Sequence, residues 1–138
     1  MALVLDTGPI LALLDAGDPA HASSVAMVEQ VREDLVVPVP VLVEVDYWTV
    51  KLLGHDAWRT FVEDVARGGY RLHQVSEGEV VRAAELESNY ADLDLGFVDA
   101  AVIATCERLG ETKVATLDQR HFGVVRPRHC PYLRLLPA

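Results

Sequence analysis

The stretch Ala2-Leu3-Val4-Leu5-Asp6-Thr7-Gly8-Pro9 decides the fold. Leu3 to Leu5 is apolar without alternation, the pattern of a short strand buried on both faces. Asp6-Thr7-Gly8-Pro9 then opens a helix through Asp15, with Thr7 or Asp6 able to cap it and Pro9 in the first turn. A buried strand that runs at once into a helix is the unit of an α/β fold.

The same alternation continues along the chain. Pro19 starts a helix to about Glu33 with Val25, Val28 and Val31 inward, and Leu35 to Val37 makes the next short strand. The segment from Pro38 to Leu53 is ambiguous. Val37, Val39, Val41, Val43 and Val45 alternate like a strand, but Pro38 and Pro40 would break its ladder. Val41, Val45, Trp48 and Leu52 fit helical spacing, which predicts a helix from Pro40 to Leu53. A helix follows from His55 to Arg67, closed by Gly68-Gly69, then a strand from Tyr70 to Val75. Ser76 and Glu79 form a capping box for a helix through Tyr90. An apolar helix covers Phe97 to Leu109, closed by Gly110, and strands follow over Thr112 to Leu117 and around Tyr132 to Leu136. Strands this short, separated by helices, predict a short parallel sheet sandwiched between helices.

At 138 residues the chain is expected to form one domain, residues 1–138. No apolar run approaches the roughly 20 residues of a membrane span, and no secretory signal pattern opens the chain, so a cytoplasmic protein without membrane contact is expected. Cys106 and Cys130 lack metal-like spacing and read as free thiols. The net charge of −9 argues against a nucleic-acid partner. Its distribution tempers that: beyond Asp118 there is no acid, only Arg120, Arg126, Arg128 and Arg134 with His121 and His129 among them. Such a strip suits phosphate binding or merely a solubilising terminus.

Four acids, Asp6, Glu44, Asp99 and Asp118, stand where a carboxylate ought to be unwelcome. Asp6 and Asp118 each end an apolar run and share the carboxyl edge of the sheet, where open parallel sheets bind ligands. Either could simply cap a helix or turn. Glu44 lies between Val41 and Trp48 on the helix stripe read as inward, although a solvated helix acid remains an alternative. Asp99 is the only charged residue from Leu95 through Cys106. A buried carboxylate must be paired or bound to metal, unless this one caps from the first turn, where the helix dipole favours an acid. Gathered at about 4 Å, each like-charged pair would cost roughly 4 kcal/mol at an effective dielectric near 20. A hard divalent cation with oxygen ligands, Mg2+ or Mn2+, reverses that sign. Thr7 and Thr116 are placed to orient a carboxylate or water, and Asp94 and Asp92 to add an outer layer of charge. No histidine pair has zinc-helix spacing and no serine sits in a nucleophile elbow.

With these residues in place, the chain resembles the PIN-domain family, and within it the VapC-type ribonuclease toxins of toxin-antitoxin pairs. Leu5-Asp6-Thr7-Gly8-Pro9 is similar to the family's opening motif, and Glu44 to its helical glutamate. Gly96-Phe97-Val98-Asp99-Ala100-Ala101 resembles the third motif, and Thr116-Leu117-Asp118-Gln119-Arg120-His121-Phe122 the fourth. The resemblance implies a three-layer α/β/α fold around a short, mostly parallel sheet. It also implies RNA cleavage with Mg2+ or Mn2+ held chiefly by Asp6 and Asp99, with Glu44 and Asp118 completing the site directly or through water. A cognate VapB-type antitoxin that blocks the acidic cleft and a homodimer are implied as well. Trp48 and Trp58 suit an interface or the core, with the core preferred. Arg120, Arg126 and Arg128 are the expected RNA backbone contacts. Two other classes compete: a binding module that holds antitoxin or RNA without cutting, and a small-molecule phosphoryl-transfer enzyme. The second lacks a paired Asp-x-Asp after the first strand and any lysine in the fourth motif.

Overall fold

A computed structural model describes residues 1–138. Strand β1 (Ala2–Leu5) leads into α1 (Thr7–Leu14) and α2 (His21–Val31); β2 (Asp34–Pro38) leads into α3 (Val39–Leu52) and α4 (His55–Ala66). Strand β3 (Arg71–His73), α5 (Glu77–Asn89), a 3-10 turn at Ala91–Leu93 and α6 (Phe97–Leu109) follow. The chain closes with β4 (Lys113–Ala115), α7 (Gln119–Phe122) and β5 (Arg134–Leu136).

All pairings in the five-stranded sheet are parallel, in the order β3-β2-β1-β4-β5. The first two crossovers move outward through β2 to β3, and the next returns past β1 to β4. Right-handed crossovers then place α1 to α4 on one face and α5 and α6 on the other, giving three layers. The reversal falls between β1 and β4, so the segments leaving these adjacent strands diverge and open a crevice at their carboxyl ends.

Burial explains why these segments form these elements. All four residues of β1 are buried, as expected for a central strand covered by helices on both faces. Ala100 to Cys106 of α6 are buried all round its axis, and left-handed Gly110 (φ 69°) ends that helix. The capping box of α5 is present: the Ser76 hydroxyl accepts from the Glu79 backbone N–H at 3.2 Å, and the Glu79 carboxylate accepts from Ser76 N at 3.4 Å. Arg82 grips Glu107 with two hydrogen bonds of 2.8 and 2.9 Å, which locks α5 to α6.

Several sequence expectations need correction. Trp48 is 40 % exposed instead of core, whereas Trp58 stacks on buried Phe61 with ring centroids 5.8 Å apart. The inward residues of α2 are Ser24 and Met27, with the valines half-buried around them. The strands expected over Tyr70–Val75 and Thr112–Leu117 shrink to Arg71–His73 and Lys113–Ala115, because only those residues meet a partner in register. Helix α7 was not foreseen, since four residues are too few to show a hydrophobic period. Replacing Ser76 by alanine should lower stability by about 1 kcal/mol through loss of the cap; urea denaturation checks this, with an unchanged slope expected.

Candidate metal centre at the carboxyl edge of β1 and β4

The register of the two central strands builds the site. Leu5 pairs with Ala115, so the next residues, Asp6 and Thr116, lie side by side at the crevice. Asp6 N donates to the Ala115 carbonyl at 2.8 Å, which extends the ladder to the acid itself. The Thr116 hydroxyl donates to Asp6 Oδ2 at 2.9 Å and accepts from Asp118 N at 3.1 Å, linking the first and fourth acids through one side chain. The Thr7 hydroxyl donates to Glu44 Oε1 at 2.7 Å, fastening the start of α1 to the acid of α3. Gly8 permits this crowding: a Cβ there would lie 3.2 Å from the side chain of Leu117, the residue before Asp118.

Asp6 occupies the N-cap position of α1, yet its side chain makes no capping hydrogen bond. Its Oδ1 is buried with no partner at all. An orphaned carboxylate oxygen in an interior costs several kcal/mol unless something positive meets it. Asp99 lies in the first turn of α6, but Gly96 holds the cap position. Asp118 does cap: its Oδ1 accepts from His121 N at 3.1 Å. Glu44 is half-buried between buried Val41 and exposed Trp48, at the border of the stripe on which it was expected to point inward.

The electrostatics carry the same message. Burial raises Asp99 from the ordinary 3.8 to about 7, and Asp6, Asp118 and Glu44 push the same way against His121. Burial also raises Asp6, helped by Glu44 and Asp118 and opposed by the Thr7 backbone and the Thr116 hydroxyl. For Asp118, burial pushes upward but its hydrogen bonds with His121 prevail and hold it below the usual carboxylate range. The four acids thus feel one another as one site, and two of them resist ionisation without a counter-charge. A divalent cation fits this donor set: hard oxygens, an unmatched buried oxygen and mutual repulsion.

His121 is the site residue that sequence reasoning missed, having grouped it with the basic tail. Its Nδ1 donates to Asp118 Oδ2 at 2.6 Å and lies 3.7 Å from Asp99, while Nε2 donates to the Leu93 carbonyl at 2.7 Å. Both nitrogens face oxygens, and the hydrogen bond to Asp118 raises the pKa of the ring. Ligating atoms of Asp99, Asp118 and His121 lie within 4.8 Å of one another. The available signal was the Asp118-x-x-His121 spacing, one turn apart.

The other predicted residues divide. Thr7 and Thr116 contact the acids as expected, whereas Asp94 ends the 3-10 turn in an exposed, left-handed conformation (φ 52°) and Asp92 is exposed. Arg120 is exposed on α7, next to the site. Arg128 donates to Glu85 at 2.6 Å and its backbone N–H to Glu107 at 2.8 Å, while Arg126 reaches the Gly123 carbonyl at 3.3 Å. Both side chains remain exposed.

A stability prediction follows for the metal-free protein between pH 5 and 8. A raised Asp99 or Asp6 favours the protonated fold, so its contribution is full below the ordinary pKa and lost as pH rises through the folded value, about 7 for Asp99. The raised His121 runs in the same direction. Stability in chelator should therefore fall from pH 5 to pH 8. Added Mn2+ should restore it more at pH 8, by about 2.7 kcal/mol at a hundredfold excess over Kd. Thermal melts at both pH values check the sign.

Comparison with known proteins places the chain in a family and matches its fold. The chain is 32 % identical over 125 residues to "Ribonuclease VapC26" of Mycobacterium tuberculosis, covering 91 % of this chain and 93 % of that protein. Its fold matches the crystal structure of Mycobacterium tuberculosis VapC20, a sarcin-ricin loop cleaving toxin, with a TM-score of 0.82 at 20 % identity, covering 93 % of this chain and 98 % of that one. It also matches VapBC2 of Rickettsia felis bound to promoter DNA, at TM-score 0.70, 13 % identity and coverage of 98 % and 97 %. A toxin-antitoxin complex from Klebsiella pneumoniae matches at TM-score 0.66, 19 % identity and coverage of 95 % and 98 %. The PIN domain itself matches residues 3–126, and the chain belongs to the PIN-domain family, on its VapC branch.

Proposed function

We propose that this protein is a metal-dependent endoribonuclease and the toxin of a toxin-antitoxin pair, acting in the cytoplasm as a single domain. The observation that carries the chemistry is the buried, unpartnered Oδ1 of Asp6 among three further acids. The ribonuclease relative at 32 % identity supports RNA as the substrate, and the acids at all four motif positions support an active site.

Asp6 and Asp99 would hold Mg2+ or Mn2+, with Glu44 and Asp118 completing the set directly or through water. The bound cation would acidify a water and offset negative charge on the phosphodiester oxygens. The chain's own groups do the rest. Thr7 occupies one oxygen of Glu44 and leaves the other to accept the attacking water's proton. Thr116 keeps Asp6 oriented, and the exposed Arg120, Arg126 and Arg128 are the basic contacts for the RNA backbone. The acidic body suits inhibition by an antitoxin that inserts a guanidinium into the carboxylates. Val43, Tyr47, Trp48 and Leu52 lie exposed on α3, an apolar surface suited to a second copy in a homodimer.

The test incubates purified, antitoxin-free protein with total RNA in Mg2+ or Mn2+, with and without chelator, beside Asp6→Asn and Asp99→Asn. Discrete cuts are expected, lost with chelator and reduced at least about 100-fold by either substitution. Cutting that survives chelator and both variants would overturn the metal mechanism. Tight RNA or antitoxin binding without cutting would replace the enzyme by a binding module.

A further inference from the structure

His121 has no part in the reaction described above, yet both of its ring nitrogens are fully used. Nδ1 donates to Asp118 Oδ2 at 2.6 Å and Nε2 to the Leu93 carbonyl at 2.7 Å. Each ring nitrogen is therefore already engaged with an oxygen of the protein. Proximity to Asp99 and Asp118 therefore does not make this ring a ligand.

We propose that His121 is a positioning residue for the reaction: it ties the fourth acid, Asp118, to the Leu93 carbonyl and so sets where Asp118 stands relative to Asp99. The assignment rests on the nuclease reading of the site. Asp118 needs such a strut because its own element cannot hold it. It sits between a three-residue strand and the four-residue helix α7, beside exposed Leu117, Gln119 and Arg120. A single helical turn has no stability of its own. His121 supplies the restraint twice, since its backbone N–H takes Asp118 Oδ1 at 3.1 Å while its ring takes Oδ2. The far end of the ring rests on Leu93, the last residue of the 3-10 turn that precedes α6 and Asp99. Buried Phe122 pins the same turn from beneath. One imidazole thus fastens the segment before the third acid to the segment after the fourth. Such orienting contacts are typically worth about 10–100-fold in metal affinity or activity.

The test titrates Mn2+ alone into the full, chelator-stripped chain by calorimetry, and measures kcat, KM and Tm with an RNA that the wild type cuts. His121→Asn places an amide N–H near the Nδ1 position and retains the Asp118 bond. His121→Gln reaches only the Nε2 position, keeping Leu93 and releasing Asp118. The pair keeps the comparison open where His121→Ala does not fold. His121→Ala and His121→Gln should weaken Mn2+ binding and lower kcat about 10–100-fold, with KM changed less than about twofold. His121→Asn should recover part of both. Adding His121→Ala to Asp118→Ala should cost nothing further, because the histidine acts through Asp118. A lowered Tm with unchanged Mn2+ affinity and kcat would make His121 a packing residue and overturn the assignment. So would losses that add in the double variant, which would mark an independent ligand or substrate contact. A wild type that binds Mn2+ but cuts no RNA defeats the nuclease reading while the Mn2+ series still judges His121. A wild type that binds no Mn2+ defeats both.

Discussion

Asp6 has one carboxylate oxygen sealed from water without a partner, and Asp99, Glu44 and Asp118 converge on it from three other elements. Desolvation and like-charge repulsion both act against this arrangement, and for Asp6 and Asp99 they outweigh the help of Thr7, Thr116 and His121. The fold therefore has to impose it. It does so through the core: β1 and β4 are locked in register, and the crevice opens where their outgoing segments diverge. A strand slipped by one residue would turn Asp6 into the opposite layer.

Other local features serve this constraint. Thr116 spends its hydroxyl on both Asp6 and Asp118, and Thr7 ties Glu44 to the turn after β1. Gly8 keeps the turn low enough for Leu117 to pack against it. Away from the crevice the charges are arranged differently. Arg82, Glu107, Glu85 and Arg128 neutralise one another across α5, α6 and the tail, and burial of Glu107 is outweighed by its Arg82 and Arg128 partners, so its pKa is lowered. The contrast is sharpest between Glu107, lowered by its arginine partners, and Asp6 and Asp99, raised chiefly by burial, with only Asp118 of the crevice lowered, by His121.

The architecture was legible because its signals are local: Leu3 to Leu5 without alternation, the capping box at Ser76, and the apolar run of α6, whose bounds match the structure. Asp99 was legible for the same reason, as one charge in an apolar helix. Asp6 and Asp118 became meaningful only through their shared edge and the ordered motifs. Trp48 escaped because period alone cannot say where an inward stripe ends, and α3 leaves Val43, Tyr47 and Leu52 exposed beside it. His121 escaped because its importance lies in a contact with Leu93, 28 residues away, that no spacing rule encodes. Arg126 and Arg128 read as part of a basic strip, and their contacts with Gly123 and with the acids of α5 and α6 come from the packing of the tail, which spacing does not encode.

The central claim is that these carboxylates are held together against their own repulsion so that a cation can join them. The thermal stability of Asp99→Asn at pH 8, with chelator and then with Mn2+, tests it most directly. Asp99→Asn should be more stable than wild type in chelator, because a repelled and desolvated charge has been removed, and should gain little further from Mn2+. A variant less stable than wild type in chelator that still gains the full Mn2+ increment would contradict it.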